Sequence, residues 1–156
     1  MRSSSGFTLP ELVITLVVIG IMAAVVVPRF VSQSEFDVFG VTEQTRSALR
    51  FAQKSAVAKR RNVCVTIDGN SLALTFGSSF DASCIGLTCT ANPDNCLKNP
   101  GSGQPYVLPA TAGISLTSAN FSFDALGKPG GEQTLSVSGG TNAQTITVEA
   151  ETGYVH

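Results

Sequence analysis

The sequence predicts an α+β protein: a long N-terminal helix, transmembrane in its first half and amphipathic in its second, packed on an antiparallel β-rich head. Three observations carry this. Phe7 to Val27 is a run of 21 residues in which Glu11 is the only charge. From Val41 to Ala56 small and apolar residues recur at three- and four-residue steps, the period of one helix face. Beyond residue 62, at least five short segments alternate apolar with polar residues between Gly-, Pro- and Asn-containing turns.

Composition narrows the classes. Charged residues are 13% of the 156, about half the usual share of about 25%, and mean hydropathy is +0.23. A disordered charged tail is excluded, and a protein that coats polynucleotides is disfavoured. The net charge of −1 provides no global field toward nucleic acid or an acidic membrane.

As a helix, Phe7–Val27 would be about 32 Å long, enough to cross a hydrocarbon core of about 30 Å. A buried core helix or a conventional secretory signal are the competing readings. The signal is disfavoured because Arg2 is the only charge before the run, and because branched residues follow the small pair Ala23-Ala24 up to Pro28-Arg29. Pro10 falls in the first turn, where backbone N–H groups have no intrahelical partner, so it costs little. Glu11 is expensive in a bilayer unless paired. Gly20 and Pro28 bracket a stretch where the helix can loosen.

Gly6-Phe7-Thr8-Leu9-Pro10-Glu11-Leu12, running directly into the apolar segment, resembles the type III signal of type IV pilins and type II secretion pseudopilins. Proline at position 10 replaces the more usual leucine or isoleucine. The resemblance implies cleavage between Gly6 and Phe7 by a prepilin peptidase and N-methylation of Phe7. It implies an apolar segment kept as an inner-membrane anchor, handled by an inner-membrane assembly platform and later packed with other pilin subunits in a filament core. It also implies that Glu11 pairs with a neighbour's N-terminal amine, and that Gly20 and Pro28 flank a stretch that can melt in filaments. The chain then divides into a leader (1–6), a transmembrane or filament-core helix (7–28), an amphipathic second half (29–61) and a β-rich head (62–156).

In the second half, Val41, Thr45, Ala48, Leu49, Ala52 and Ala56 mark the buried face. Phe30, Phe36 and Phe39 line either a neighbour's helix or the domain's own sheet, with core packing expected for most of them, and Gly40 is a soft spot. Between Arg46 and Arg61 lie six basic residues and no acid. Arg46, Arg50 and Lys54 are spaced by four and form one stripe; Lys59, Arg60 and Arg61 follow. The stripe is a candidate strip for nucleic acid or an acidic partner. A solvated face, with cations favourably near a helix C-terminus, is the preferred reading, because no aromatic interleaving supports base stacking.

In the head, Val63, Val65 and Ile67, the turn Asp68-Gly69-Asn70, and Leu72, Leu74 and Phe76 predict a hairpin. Residues 77–113 read as a long irregular loop, functional or stapled. Strands are expected at 114–117, 121–123, 134–138 and 144–149. Phe121-Ser122-Phe123-Asp124-Ala125-Leu126-Gly127 and this layout resemble the GspH/FimT group of pseudopilins and minor pilins. The hairpin and cysteine-bearing loop also resemble a minor pilin of the mannose-sensitive haemagglutinin type. Some FimT-like members bind DNA through arginines beside a C-terminal glycine. Here Tyr154, Val155 and His156 follow Gly153, so that property does not carry over.

Four cysteines, Cys64, Cys84, Cys89 and Cys96, suggest one or two disulfides if the head is exported, with three pairings open. Their spacing does not match paired C-x₂-C metal ligands, so no metal is expected. No cofactor or catalytic constellation is expected either. A Ser-His-Asp site would need His156, which is terminal and expected to be loosely held, and Gly127 to Gly130 lacks the lysine and helix of a phosphate loop. The expectation is a minor pilin or pseudopilin. A filament-tip module that binds DNA or a surface ligand is the alternative.

Overall fold

A computed structural model describes residues 7–156 apart from Ser32, Asn70, Asp81 and Ala110, with backbone alone for 25–35. The expected leader 1–6, with Gly6, lies outside the described residues, as do Asn70 of the predicted turn and the side chains of Pro28 and Phe30. By its internal contacts the chain forms two compact units, 1–33 and 34–156.

The first unit carries α1 (Leu9–Val31). It starts two residues later than the apolar run, and the Leu12 N–H donates to the Thr8 carbonyl oxygen at 3.2 Å. Pro10 therefore sits in the first turn, as its missing N–H requires. α1 continues past Pro28 to Val31. Among the described residues no helix is long and apolar enough to cross a membrane. In α1 the fully described stretch ends at Ala24 and is about 24 Å long at 1.5 Å per residue. The expected span over 7–28 extends beyond that stretch.

The second unit holds most of α2 (Gln33–Lys59) and, among the described residues, seven strands. These are β1 (Val63–Ile67), β2 (Ser71–Phe76), β3 (Val107–Pro109), β4 (Ile114–Leu116), β5 (Ala119–Phe123), β6 (Gln133–Gly139) and β7 (Asn142–Val148). They form two antiparallel sheets, ordered β3-β2-β1-β5 and β4-β6-β7. The predicted hairpin is present, with Val63 opposite Phe76 and Ile67 opposite Leu72.

One core joins helix and sheets. Thr45, Ala48, Leu49, Ala52 and Ala56 are buried on α2, as their spacing predicts. Three of the five are alanines at four-residue intervals, so the backbone can lie close to the strands. Val63, Val65, Phe121, Phe123, Val137, Ile146 and Val148 face them. Phe121 and Phe123, two residues apart on β5, share a face and meet edge to face with centroids 5.5 Å apart. Phe36 and Phe39 correct the expectation of core packing: both are exposed, at 76% and 62%.

The helix ends in a closed turn. The Arg61 N–H donates to the Ala56 carbonyl and the Arg60 N–H to the Val57 carbonyl, the double closure of a Schellman motif. Arg60 occupies the position usually held by glycine and has φ of 50°. Arg60 and Arg61 thus lie beyond the helix that was expected to reach residue 61.

The loop 77–113 is stapled twice, by Cys64–Cys84 and Cys89–Cys96. Cys64 points from the face of β1 opposite Val63 and Val65, and the first disulfide covers it; both of its cysteines are fully buried. The loop is more ordered than expected, holding a 3₁₀ turn at Pro93–Asn95 and the unforeseen strand β3.

Candidate functional site

Two constructions in the molecule go beyond ordinary packing, one in each unit. On α1, every described side chain from Phe7 to Ala24 is exposed. Leu12, Val13, Ile14, Leu16, Val17, Val18, Ile19, Ile21 and Met22 are 46–64% exposed. At 100° per residue these positions encircle the helix, so no single face is apolar. An all-round apolar helix must be covered by something outside its own unit. Glu11 stands in the first turn, where the helix N-terminus favours a negative charge, and among the described residues it has no ion-pair partner. Among the described residues Gly20 has no atom within 4 Å of where a Cβ would stand, so its smallness serves no contact there.

The second construction is a clasp between α2 and the two glycine-containing loops of the head. Asp124 Oδ1 accepts from the N–H groups of Leu126 (2.9 Å) and Lys128 (2.8 Å), an Asx turn that sets Gly127 at φ of 83°. The Gln53 side-chain amide donates to the carbonyls of both Gly127 (3.2 Å) and Thr152 (2.8 Å). Gly153 is the tightest point. With φ of 65°, a Cβ there would lie 2.0 Å from the Gly127 carbonyl oxygen and 2.6 Å from Gln53 Nε2.

The chain end is tied beyond the clasp. Thr147 and His156 exchange both backbone hydrogen bonds, at 2.8 and 3.0 Å, and Val155 bridges Val148. His156 is therefore not the loosely held terminus expected; it also contacts Glu149 at 3.0 Å and stacks on Tyr154. Arg50 closes the arrangement, its Nη2 and Nε donating to the Val155 carbonyl at 2.9 and 3.3 Å.

The candidate basic strip is thus divided. Arg46 pairs with Glu43, and its buried Nε has no acceptor among the described residues. Arg50 holds the chain end. Arg61 Nη1 lies 3.5 Å from the Gly77 carbonyl. Lys54 and Arg60 are exposed. Folding gives Phe51, which lies between Arg50 and Lys54 in the sequence, and Lys59 aromatic partners from the head. Phe51 stacks on Tyr106 with centroids 5.1 Å apart, and the Lys59 ammonium lies 4.8 Å over the Phe76 ring. Burial pushes the Tyr106 phenol above its ordinary pKa of 10.0. All four cysteines are consumed in disulfides.

Sequence reasoning missed Gln53. It lies on a polar flank of α2 with no local signal, and only the paired glycines 127 and 153 hinted at a close approach.

Comparison with known proteins matches residues 1–27 to the prokaryotic N-terminal methylation motif. The chain is 31% identical over 97 residues to the type IV narrow pilus major component PilA5 of Thermus thermophilus, spanning 58% of this chain and 83% of that protein. Two crystal structures of the type IV minor pilin FimU of Pseudomonas aeruginosa superpose with TM-scores of 0.54 and 0.50. They cover 78% and 73% of this chain and 88% and 86% of theirs, at 14% and 12% identity; the likeness is one of fold.

Proposed function

The chain belongs to the type IV pilin family, and from that premise we propose that it is a minor structural subunit of a type IV filament, pilus or pseudopilus, without enzymatic activity. A prepilin peptidase cuts between Gly6 and Phe7, and Phe7 is N-methylated. Residues 7–28 hold the subunit in the inner membrane, with the head on the far side, until an assembly platform inserts it among other pilin subunits. The observation that carries this reading is α1: apolar on every side, uncovered in its own unit, with one carboxylate at its start. Burying each Leu, Ile or Val there is worth about 1.5–3 kcal/mol, which a bilayer supplies first and neighbouring copies of such a helix supply later. A positive N-terminus on a neighbouring subunit answers Glu11, which would otherwise be costly at that depth. The likeness in fold to FimU supports a minor role.

The test is mass spectrometry of the chain recovered from sheared filaments. The expected mature N-terminus is methylated Phe7. A chain retaining Met1, one beginning after Ala24, or one absent from the filament fraction refutes the reading.

A further inference from the structure

The first sheet packs one face on α2 and turns the other to the stapled loop. On that outer face Val107, Ala73, Thr66 and Asn120 stand in one row across β3, β2, β1 and β5, each directly opposite the next. Cys64 and Thr75, also opposite each other on this face, are fully buried where the first disulfide covers the sheet. Over Ala73 and Thr66 the loop stands off instead, leaving a cleft of about 230 Å³. Ala73, the smallest side chain of the row, leaves that room at its centre.

The wall over this floor is Leu87, Thr88, Cys89 and Thr90, and it is held at several points. The Leu87 N–H donates to the Cys84 carbonyl at 3.1 Å, and the Asn92 N–H to the Thr88 carbonyl at 2.9 Å. Thr88 Oγ1 accepts from the Ala91 N–H at 3.3 Å, and Cys89 is tied to Cys96. At the hairpin end the Ser71 N–H and hydroxyl donate to Asp68 Oδ1 at 2.6 and 3.2 Å, which fixes the carboxylate before any ligand arrives. The lining thus offers the hydroxyls of Thr66, Ser71, Thr88 and Thr90, one carboxylate, and an apolar surface of Ala73, Leu87 and Val107. No cation is among the described lining residues.

We propose that this cleft binds a neutral hexopyranose, one ring of a glycan. Threonine and serine hydroxyls both donate and accept, as sugar hydroxyls do, and a carboxylate accepts from them. The C–H face of the ring lies on Ala73, Leu87 and Val107. The volume is below the about 300–1,000 Å³ of sites for drug-sized ligands, which suits a single ring. Other occupants fit worse. An anion would give up its water beside Asp68 with no cation to replace it, and an apolar ligand would strand the hydroxyls. A divalent cation takes about six or more oxygen ligands, several of them charged, and finds one carboxylate already engaged by Ser71. Two disulfides suit a head that works outside a reducing cytosol, where glycans are displayed. The loop 77–113 was expected to be functional or stapled; here the staples build the site.

The experiment uses the full chain in a polyoxyethylene detergent, which has no sugar head group, with saturation-transfer NMR and titration calorimetry. The probes are the methyl glycosides of glucose, galactose and N-acetylglucosamine, with glucuronate as the matched anion. At least one neutral probe should bind saturably with a Kd of about 1 mM, the affinity usual for a ligand of this size. Glucuronate should bind at least about tenfold more weakly, and about 0.5 M salt should leave the neutral probe unaffected, since no charge is exchanged. Ala73→Leu fills the floor and should weaken binding by about tenfold or more. Thr90→Val keeps the space, removes one hydroxyl and should weaken binding about fivefold. Thermal unfolding verifies that the variants fold; Thr90 is exposed on the loop, so its variant carries the test if Ala73→Leu does not fold. No saturation by any neutral probe up to about 20 mM overturns the inference. So does glucuronate binding as tightly as the neutral probes, or an affinity that the folded variants leave unchanged.

Discussion

Replacing Gly153 with alanine probes the clasp at its narrowest point. The new methyl would stand 2.0 Å from the Gly127 carbonyl oxygen and 2.6 Å from Gln53 Nε2, against an ordinary contact of about 3.5 Å. The carbonyl belongs to backbone held by the Asp124 turn, so it cannot swing aside as a side chain would. The loop must move by more than an ångström, and Gln53 then loses its bonds to Gly127 and Thr152, each worth about 1 kcal/mol. A non-glycine residue at a φ of 65° adds about 1–2 kcal/mol. The sum is about 3–4 kcal/mol. For a unit of this size that corresponds to a fall in melting temperature of roughly 10–15 °C. Scanning calorimetry of the full chain in detergent measures it, with Gly130→Ala as control, because no atom lies within 4 Å of a Cβ there. The control should shift by less than about 2 °C, the typical scale of a surface change. A fall below about 3 °C for Gly153→Ala would refute the clasp as a structural constraint.

Arg60→Gly should stabilise the head by about 0.5–1 kcal/mol, because glycine accepts the left-handed φ at the helix end without steric cost; urea unfolding reads this as a higher midpoint at unchanged slope. Cys64–Cys84 links residues 20 apart and Cys89–Cys96 residues 7 apart, contributing about 3 and about 2.5 kcal/mol in the chain-entropy model. Under graded reductant, differential alkylation should find Cys89–Cys96 opening first, since Cys89 is partly accessible whereas Cys64 and Cys84 are fully buried. Tyr106 is held neutral by burial, with its pKa raised from 10.0. Its contribution is therefore complete below pH 10 and declines as pH rises through the folded-state value, and Tyr106→Phe should flatten that part of the alkaline stability profile relative to the unaltered chain.

What was legible in the sequence was periodic. Val41 through Ala56 repeats every three or four residues, and Thr45, Ala48, Leu49, Ala52 and Ala56 form the buried face of α2, with Val41 half-buried at its edge; the alternation in 63–67 and 71–76 became a hairpin. Strand β3 was not legible because Val107–Pro109 is three residues long, ends in proline, and is specified by pairing with Ser71–Ala73 on the far side of a stapled loop. Phe36 and Phe39 misled for a related reason. An aromatic residue announces that it needs cover, and the sequence does not say whether the cover comes from its own core.

The cations of α2 carry the same lesson into chemistry. Spacing by four correctly put Arg46, Arg50 and Lys54 on one stripe, and that stripe could have been read as one ligand-binding unit. Each meets a different element, because what lies across from a helix changes over 6 Å of its length, about one turn. Arg46 finds Glu43 on its own helix. Arg50 finds a carbonyl 105 residues away. Lys54 finds solvent. The cations left for a partner are Lys54 with Lys59 and Lys98, a set no helical period could assemble, since Lys98 arrives from the loop that the disulfides hold in place. Cleaving those bonds should therefore loosen the segment that carries Lys98 while sparing the helix stripe: on reduction, amide hydrogen exchange should rise at Leu97, whose N–H donates to the Leu74 carbonyl, and stay unchanged at Arg50 and Lys54.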